Sequence, residues 1–269
     1  MTMTMTMTDR FRQLHTEGTF VLPNPWDVGS ARILESLGFE ALATTSAGHA
    51  ASKGRYDQNI TLAEVLAHAE ELVAVLGVPL NLDSERCFGE TTSEVTANVV
   101  RLGDTGAAGF SIEDYNPATK AIDPIELATD RVAAAAEGAK TSGLVLTART
   151  ENHLYGVTDL DDTIARLRAF VAAGAECVYA PGLTELQQIQ RVVSEVGAPL
   201  NVLTMPTCPT VPELASVGVR RVSTGSAIAR SVHGALAAAG RELLETGTYG
   251  FTDDFLSGSD VVAAFGEPN

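Results

Sequence analysis

The chain predicts one α/β domain closed into a (β/α)8 barrel. Three observations carry that expectation. Eight short apolar segments alternate with amphipathic, helix-length segments along 269 residues, a normal length for one such barrel. A glycine stands before nearly every apolar segment. The loop after the first one, VLPNPWDVGS, is not the G-x-G-x-x-G expected of an open dinucleotide-binding sheet.

The uncharged, low-complexity MTMTMTMT start predicts a disordered tail over residues 1–9. The barrel is expected over 10–246 and a C-terminal tail over 247–269. The strands are predicted at 19–26, 40–46, 78–85, 109–114, 144–150, 177–181, 199–205 and 221–225. Between them, 61–77 places Leu62, Val65, Leu66, Ala69, Leu72, Val73 and Leu76 on one helical face. Segment 159–175 does the same with Ile164, Leu167 and Val171, and its acidic start suits a helix N-terminus. Gly38, Gly77, Gly106, Gly143, Gly174, Gly197 and Gly218 read as left-handed helix caps. A last helix is expected over about 226–246.

Composition narrows the function. A net charge of −16 disfavours nucleic acid and anionic membranes, though a local arginine or metal can still draw an anionic substrate. No apolar run is long enough to cross a membrane, and no secretory signal is read. Three cysteines, Cys87, Cys177 and Cys208, without C-x-x-C spacing fit a reducing compartment, with the cytoplasm as the default.

Function should sit at the C-terminal ends of the strands. NLDSE, FSIED and LTARTE end three consecutive strands and bring Asp83, Glu85, Glu113, Asp114, Arg149 and Glu151 to one mouth. Asp83 and Glu85, two apart, are expected on the same side of their strand, with Glu113 beside them. Taken singly, each acid reads as a helix cap or salt-bridge partner. Taken together they repel one another unless a cation intervenes, and hard oxygen donors favour Mg²⁺ or Mn²⁺, held partly through water. Arg149 suits bidentate capture of a carboxylate, or alternatively a structural pair with Glu151 or Glu113. The small-residue run TTSAGHAASKG offers backbone N–H groups for an anion, and Asp57 beyond it could reach the metal's water shell. Lys53, Lys120 and Lys140 lie outside the strands, which disfavours Schiff-base chemistry. Among the histidines, His49, His68, His153 and His233 show no ligand spacing, and only His153 has a polar role in view.

PNPWDVGSARILESLGFEAL, TTSAGHAASKGRYD, LDSERCFGE, SIED and ARTE occur in an order that resembles the isocitrate lyase/phosphoenolpyruvate mutase superfamily over roughly residues 10–246. The resemblance implies a Mg²⁺-dependent enzyme that makes or breaks C–C or P–C bonds beside a 2-oxo acid. It implies metal residues Asp83, Glu85 and Glu113, with Asp57 assisting through water. It also implies substrate contacts from Trp26, Asp27, Thr45, Ser46, Ala47, Asn201 and Arg149. A homotetramer with an exchanged C-terminal helix follows from the same likeness. Departures matter: Glu85 replaces an aspartate, DYNPATKAIDP lacks the cysteine of the lyase K-[KR]-C-G-H motif, and Ala180 stands where relatives carry His or Glu. The expected activity is C–C cleavage of a small 2-oxo or 2-hydroxy dicarboxylate, with water or Tyr115 delivering the proton. P–C chemistry on phosphoenolpyruvate or phosphonopyruvate, and a ligand-binding barrel without turnover, are the alternatives.

Overall fold

The computed structural model describes residues 5–267. Eight parallel strands form the barrel: β1 (Phe20–Leu22), β2 (Leu42–Ala43), β3 (Leu80–Asp83), β4 (Gly109–Glu113), β7 (Val145–Arg149), β8 (Cys177–Tyr179), β9 (Leu200–Leu203) and β10 (Arg221–Ser223). Their order around the sheet is β1-β10-β9-β8-β7-β4-β3-β2. The seam between the ends is bridged by Ala43 N–H donating to Pro23 O at 3.1 Å and by Asn24 Nδ2 donating to Thr44 O at 2.7 Å. The strands are shorter than their apolar runs because the ladder stops where the chain turns into the loops.

Alternation decides which residues meet. On β3, Leu80 and Leu82 join the core against the helices, while Asn81 and Asp83 face the barrel interior. Phe110 and Ile112 face outward on β4 and Ser111 and Glu113 inward; Val222 faces outward on β10 and Arg221 and Ser223 inward.

The helices follow the predicted periodicity. Helix α4 (Leu62–Val73) buries Val65, His68, Ala69 and Leu72, and Thr61 and Glu64 form its capping box. Six of the seven predicted glycine caps are left-handed, Gly38 through Gly218; Gly77 is not. Helix α4 has already ended at Val73, so Gly77 falls past its cap, where its N–H donates to Glu35 Oε1 at 2.6 Å.

Two elements differ from expectation. Helix α1 (Met7–Leu14) begins inside the stretch expected to be a tail, capped by Thr6 and Asp9, while residues 1–4 lie outside the described residues. Its Phe11 closes the N-terminal end of the barrel with Phe20, Leu22, Ala41, Ala43, Ala108 and Val145. A Cβ on Gly109 would stand 2.7 Å from the Phe11 ring, so that strand position has room only for glycine. The DYNPATKAIDP loop is a two-stranded hairpin, β5 (Tyr115–Asn116) with β6 (Ala121–Ile122), turning at Lys120 with φ 55°. Helix α10 (Ala227–Glu245) is close to the predicted last helix, and α11 (Gly258–Phe265) packs on α2 (Val28–Ser36). No helix among the described residues is long and apolar enough to cross a membrane.

Candidate active site

The C-terminal mouth opens on a cavity of about 190 Å³. Asp57, Asp83, Glu113, Arg149 and Glu151 line it, with Thr45, Ser46 and Ala47 on one wall and Asn201 deeper in the barrel. Arg149 sits among the acids. Its Nη1 donates to Asp83 Oδ1 at 2.8 Å, its Nε to Glu151 Oε1 at 2.9 Å, and its Nη2 lies 3.4 Å from Glu113 Oε2. The structural pairing weighed for Arg149 is therefore present with Glu151, Glu113 and also Asp83. Burial opposes its charge, but Glu151, Asp83 and Glu113 outweigh that and hold its pKa well above the ordinary value.

The expected acid triad forms only in part. Strand β3 ends at Asp83, so the period-two argument does not reach Glu85. Glu85 has φ 47°, its backbone O accepts from Glu113 N at 2.9 Å, and it is buried, outside the residues that line the cavity. Cys87 and Phe88 are left-handed as well, at φ 59° and 53°, so this loop carries backbone strain. Arg131 holds it by donating to Arg86 O at 2.7 Å and Gly89 O at 2.8 Å. Among the described residues no three His, Cys, Asp or Glu side chains are arranged to hold one ion directly. The reason is Arg149, which draws Asp83 and Glu113 to itself as their counter-charge.

The donor set nevertheless fits a hard cation. Glu85 Oε1 is buried without a hydrogen-bond partner. Burial, then Asp83 and Asp57, push the Glu85 carboxyl up to about 8. Burial first, reinforced by Glu151, Asp83 and Glu85 and opposed by Arg149, raises Glu113 well above the carboxylate range. Burial and then Asp83 raise Asp57 at the rim. A second cation would relieve all three.

The remaining expected residues separate into those at the cavity and those held away from it. Ser46 N–H donates to Asp83 Oδ2 at 2.9 Å, which ties the 45–47 segment to the acid cluster. Trp26 and Asp27 lie off the cavity. Asp27 caps α2 by accepting from Ser30 N at 2.7 Å, and Trp26 packs beneath Gly48 and beside His233. A short polar side chain before a helix caps it, and that local role takes Asp27 out of reach. Tyr115 is stacked on Tyr155 at 4.0 Å, and Tyr155 is the ring that faces the cavity. Asp114 accepts from Glu151 N at 2.8 Å and from Arg166 Nη1 at 3.2 Å, a structural role. His153 bonds Thr163 Oγ1 at 2.8 Å.

Sequence reasoning passed over Gln58, Arg221 and His15. Gln58 Nε2 donates to Glu113 Oε1 at 2.9 Å. Arg221 and Ser223 line the cavity, and only the odd polar positions in RVSTG signal it.

The chain is similar to known proteins along nearly its whole length. The family model described as phosphoenolpyruvate phosphomutase matches residues 11–244. The oxaloacetate decarboxylase of Paraburkholderia xenovorans (strain LB400) is 32% identical over 81% of this chain and 75% of its own. A solved structure from Burkholderia cenocepacia J2315 with a provisional lyase/mutase description superposes with a TM-score of 0.92 at 44% identity, covering 97% of this chain and 96% of that one. 2,3-Dimethylmalate lyase, a PEP mutase/isocitrate lyase superfamily member, superposes with a TM-score of 0.84 at 25% identity over 97% and 95% of the two chains. The chain belongs to the phosphoenolpyruvate phosphomutase family and is an enzyme of the isocitrate lyase/PEP mutase superfamily.

Proposed function

We propose that this chain is a Mg²⁺-dependent lyase that cleaves a C–C bond of a small 2-oxo or 2-hydroxy dicarboxylate. The observation that carries the reading is the meeting of Asp83, Glu113 and Arg149 in one cavity of about 190 Å³. That volume is below the roughly 300–1,000 Å³ of pockets for drug-sized ligands, so it favours a short acid. The relatives named oxaloacetate decarboxylase and 2,3-dimethylmalate lyase support the C–C arm.

Asp83, Glu85 and Glu113 would hold Mg²⁺, largely through water, with Mn²⁺ as the substitute. When bound, the cation supplies Lewis-acid polarisation of an oxo-acid carbonyl. Arg149 would hold a substrate carboxylate, exchanging part of its carboxylate pairing for it. The Thr45–Ala47 segment would hold the other end of the acid. Tyr155 faces the cavity as a neutral phenol, and burial first, then Tyr115 and Glu113, raise its pKa, so it gives up its proton only to a strongly basic carbon. It would deliver the proton in place of Tyr115. Asp57 at the rim would order water.

The test is a panel of oxo and hydroxy dicarboxylates with Mg²⁺, read by release of pyruvate or a related acid and by loss of that release with EDTA. The family description, phosphoenolpyruvate phosphomutase, supports P–C chemistry as a second reading. A ³¹P NMR time course with phosphoenolpyruvate and phosphonopyruvate separates the two, because an unchanged spectrum sinks the second. No Mg²⁺ binding and no turnover across both sets would leave a ligand-binding barrel.

A homo-oligomer is part of the same proposal. Helix α10 buries only Ala229 among 19 residues and leaves Val232, Leu236 and Leu244 exposed. Such a face is covered by another copy in an assembly.

A further inference from the structure

Among the described residues, one guanidinium inside the ring of strands is left without a counter-charge. Arg221 is 2% exposed and lines the floor of the same cavity as Arg149. Its three partners are all neutral: Nε donates to Asn201 Oδ1 at 2.9 Å, Nη2 to Thr147 Oγ1 at 3.0 Å, and Nη1 to His15 Nε2 at 3.2 Å. None of the ion pairs among the described residues includes it.

The surroundings hold this guanidinium in place without neutralising it. His15 Nδ1 lies 2.8 Å from Phe11 O, a carbonyl that only accepts, so Nδ1 carries the proton and Nε2 is the acceptor for Arg221. Burial, then Arg221 itself, keep that imidazole neutral, at about 3. Asn201 is fixed in turn by donating Nδ2 to Ser223 Oγ at 2.9 Å. A buried charge with neutral partners destabilises the fold in a way that an apolar residue would avoid. Above it the cavity holds more carboxylates than guanidiniums, and Arg149 is engaged by three of them. An anion entering that field needs positive charge that is not already spoken for.

We infer that Arg221 is a specificity-determining residue: its unpaired charge at the cavity floor lets the site accept a dianionic acid, with His15, Thr147 and Asn201 as the residues that position it. The inference rests on the proposed oxo-acid reaction. It makes helix α1, which brings His15 from the far end of the barrel, part of the substrate site.

Charge gives the test opposite signs for the two ligands. Oxalate, a planar dianion that mimics the enolate of pyruvate, is titrated calorimetrically in the presence of Mg²⁺. Mn²⁺ alone is titrated by its EPR signal. Arg221→Met should weaken oxalate binding at least tenfold and tighten Mn²⁺ binding several-fold, because a nearby positive charge has gone. Arg221→Lys should restore both toward wild type. Asn201→Asp places a carboxylate against Arg221 and should reproduce the Met signs more weakly, which decides the matter if Arg221→Met does not fold by circular dichroism. A folded variant that weakens oxalate and Mn²⁺ alike, or leaves oxalate unchanged, overturns the inference and leaves the proposed reaction standing. A wild-type chain that binds no oxalate with Mg²⁺ overturns the reaction, and the inference with it.

Discussion

Arg149 decides what the site is before any ligand arrives. It is the cation that three carboxylates share, so its removal leaves Asp83, Glu113 and Glu151 facing one another half-desolvated. Arg149→Ala should lower stability by about 3–5 kcal/mol, the cost of a buried charge left unpaired, and Mg²⁺ should restore part of it. Asp83→Ala removes one acceptor and should cost about 1–3 kcal/mol while abolishing Mg²⁺ binding. Urea unfolding with and without Mg²⁺ checks both, and collapse of both variants would reduce the pair to scaffold. The histidines set the acid limb. Burial holds His15 and His68 at about 3 and lowers His49, against 6.5 in the unfolded chain. Below about 6.5 the unfolded chain therefore takes up protons that the fold refuses, and stability falls by roughly 1.4 kcal/mol per pH unit per histidine. Glu85, raised to about 8, has the opposite sign: its contribution is lost as pH rises from 4.5 toward 8. Denaturation midpoints from pH 7.5 to 5, compared between wild type and His68→Gln, isolate one histidine from the raised carboxyls that titrate with the opposite sign. His68→Gln should flatten that limb, and an unchanged slope would place the proton uptake elsewhere.

At the scale of elements, the agreement and the misses have separate causes. The strands and helices were legible because each buries one face, and burial leaves a period of two or 3.6 in the sequence. Leu80 and Leu82 against Asn81 and Asp83 show it on one strand. Glu85 lies past the strand on which it was expected, because a strand's end is set by where the ladder stops, and a left-handed turn there has no glycine to announce it. Asp27 was misplaced because a cap and a pocket residue look alike in one dimension. Helix α1 was partly read as tail because its first turn lies in the low-complexity MTMTMTMT run, although Phe11 and Leu14 face the core. Phe11 closes the barrel floor at 0% exposure. Phe11→Ala should cost about 3–5 kcal/mol by thermal denaturation, and a loss below 1 kcal/mol would mean α1 is not part of the core.

For the whole molecule, the exposed apolar face of α10, with Val232, Leu236 and Leu244, carries the proposed assembly. Light scattering should find an oligomer, and Leu236→Glu with Leu244→Glu should give a smaller species with an unchanged circular dichroism spectrum. A wild-type monomer would remove the assembly from the proposal. The sequence by itself determined the barrel, the mouth at which Asp83, Glu113 and Arg149 meet, and the superfamily. Those depend on periodicity, on strand ends and on motif order, which are all local in the chain. Only the tertiary structure decided that Arg149 pairs with Asp83 as well as with Glu151 and Glu113, that Glu85 leaves the strand in a left-handed turn, and that Tyr155 rather than Tyr115 faces the cavity. It also decided that Arg221, reached by His15 from 206 residues away, bears its charge without a counter-ion. Apart from the Arg149–Glu151 and Arg149–Glu113 pairs already in view from the sequence, the pairing of charges is a matter of distance across the barrel.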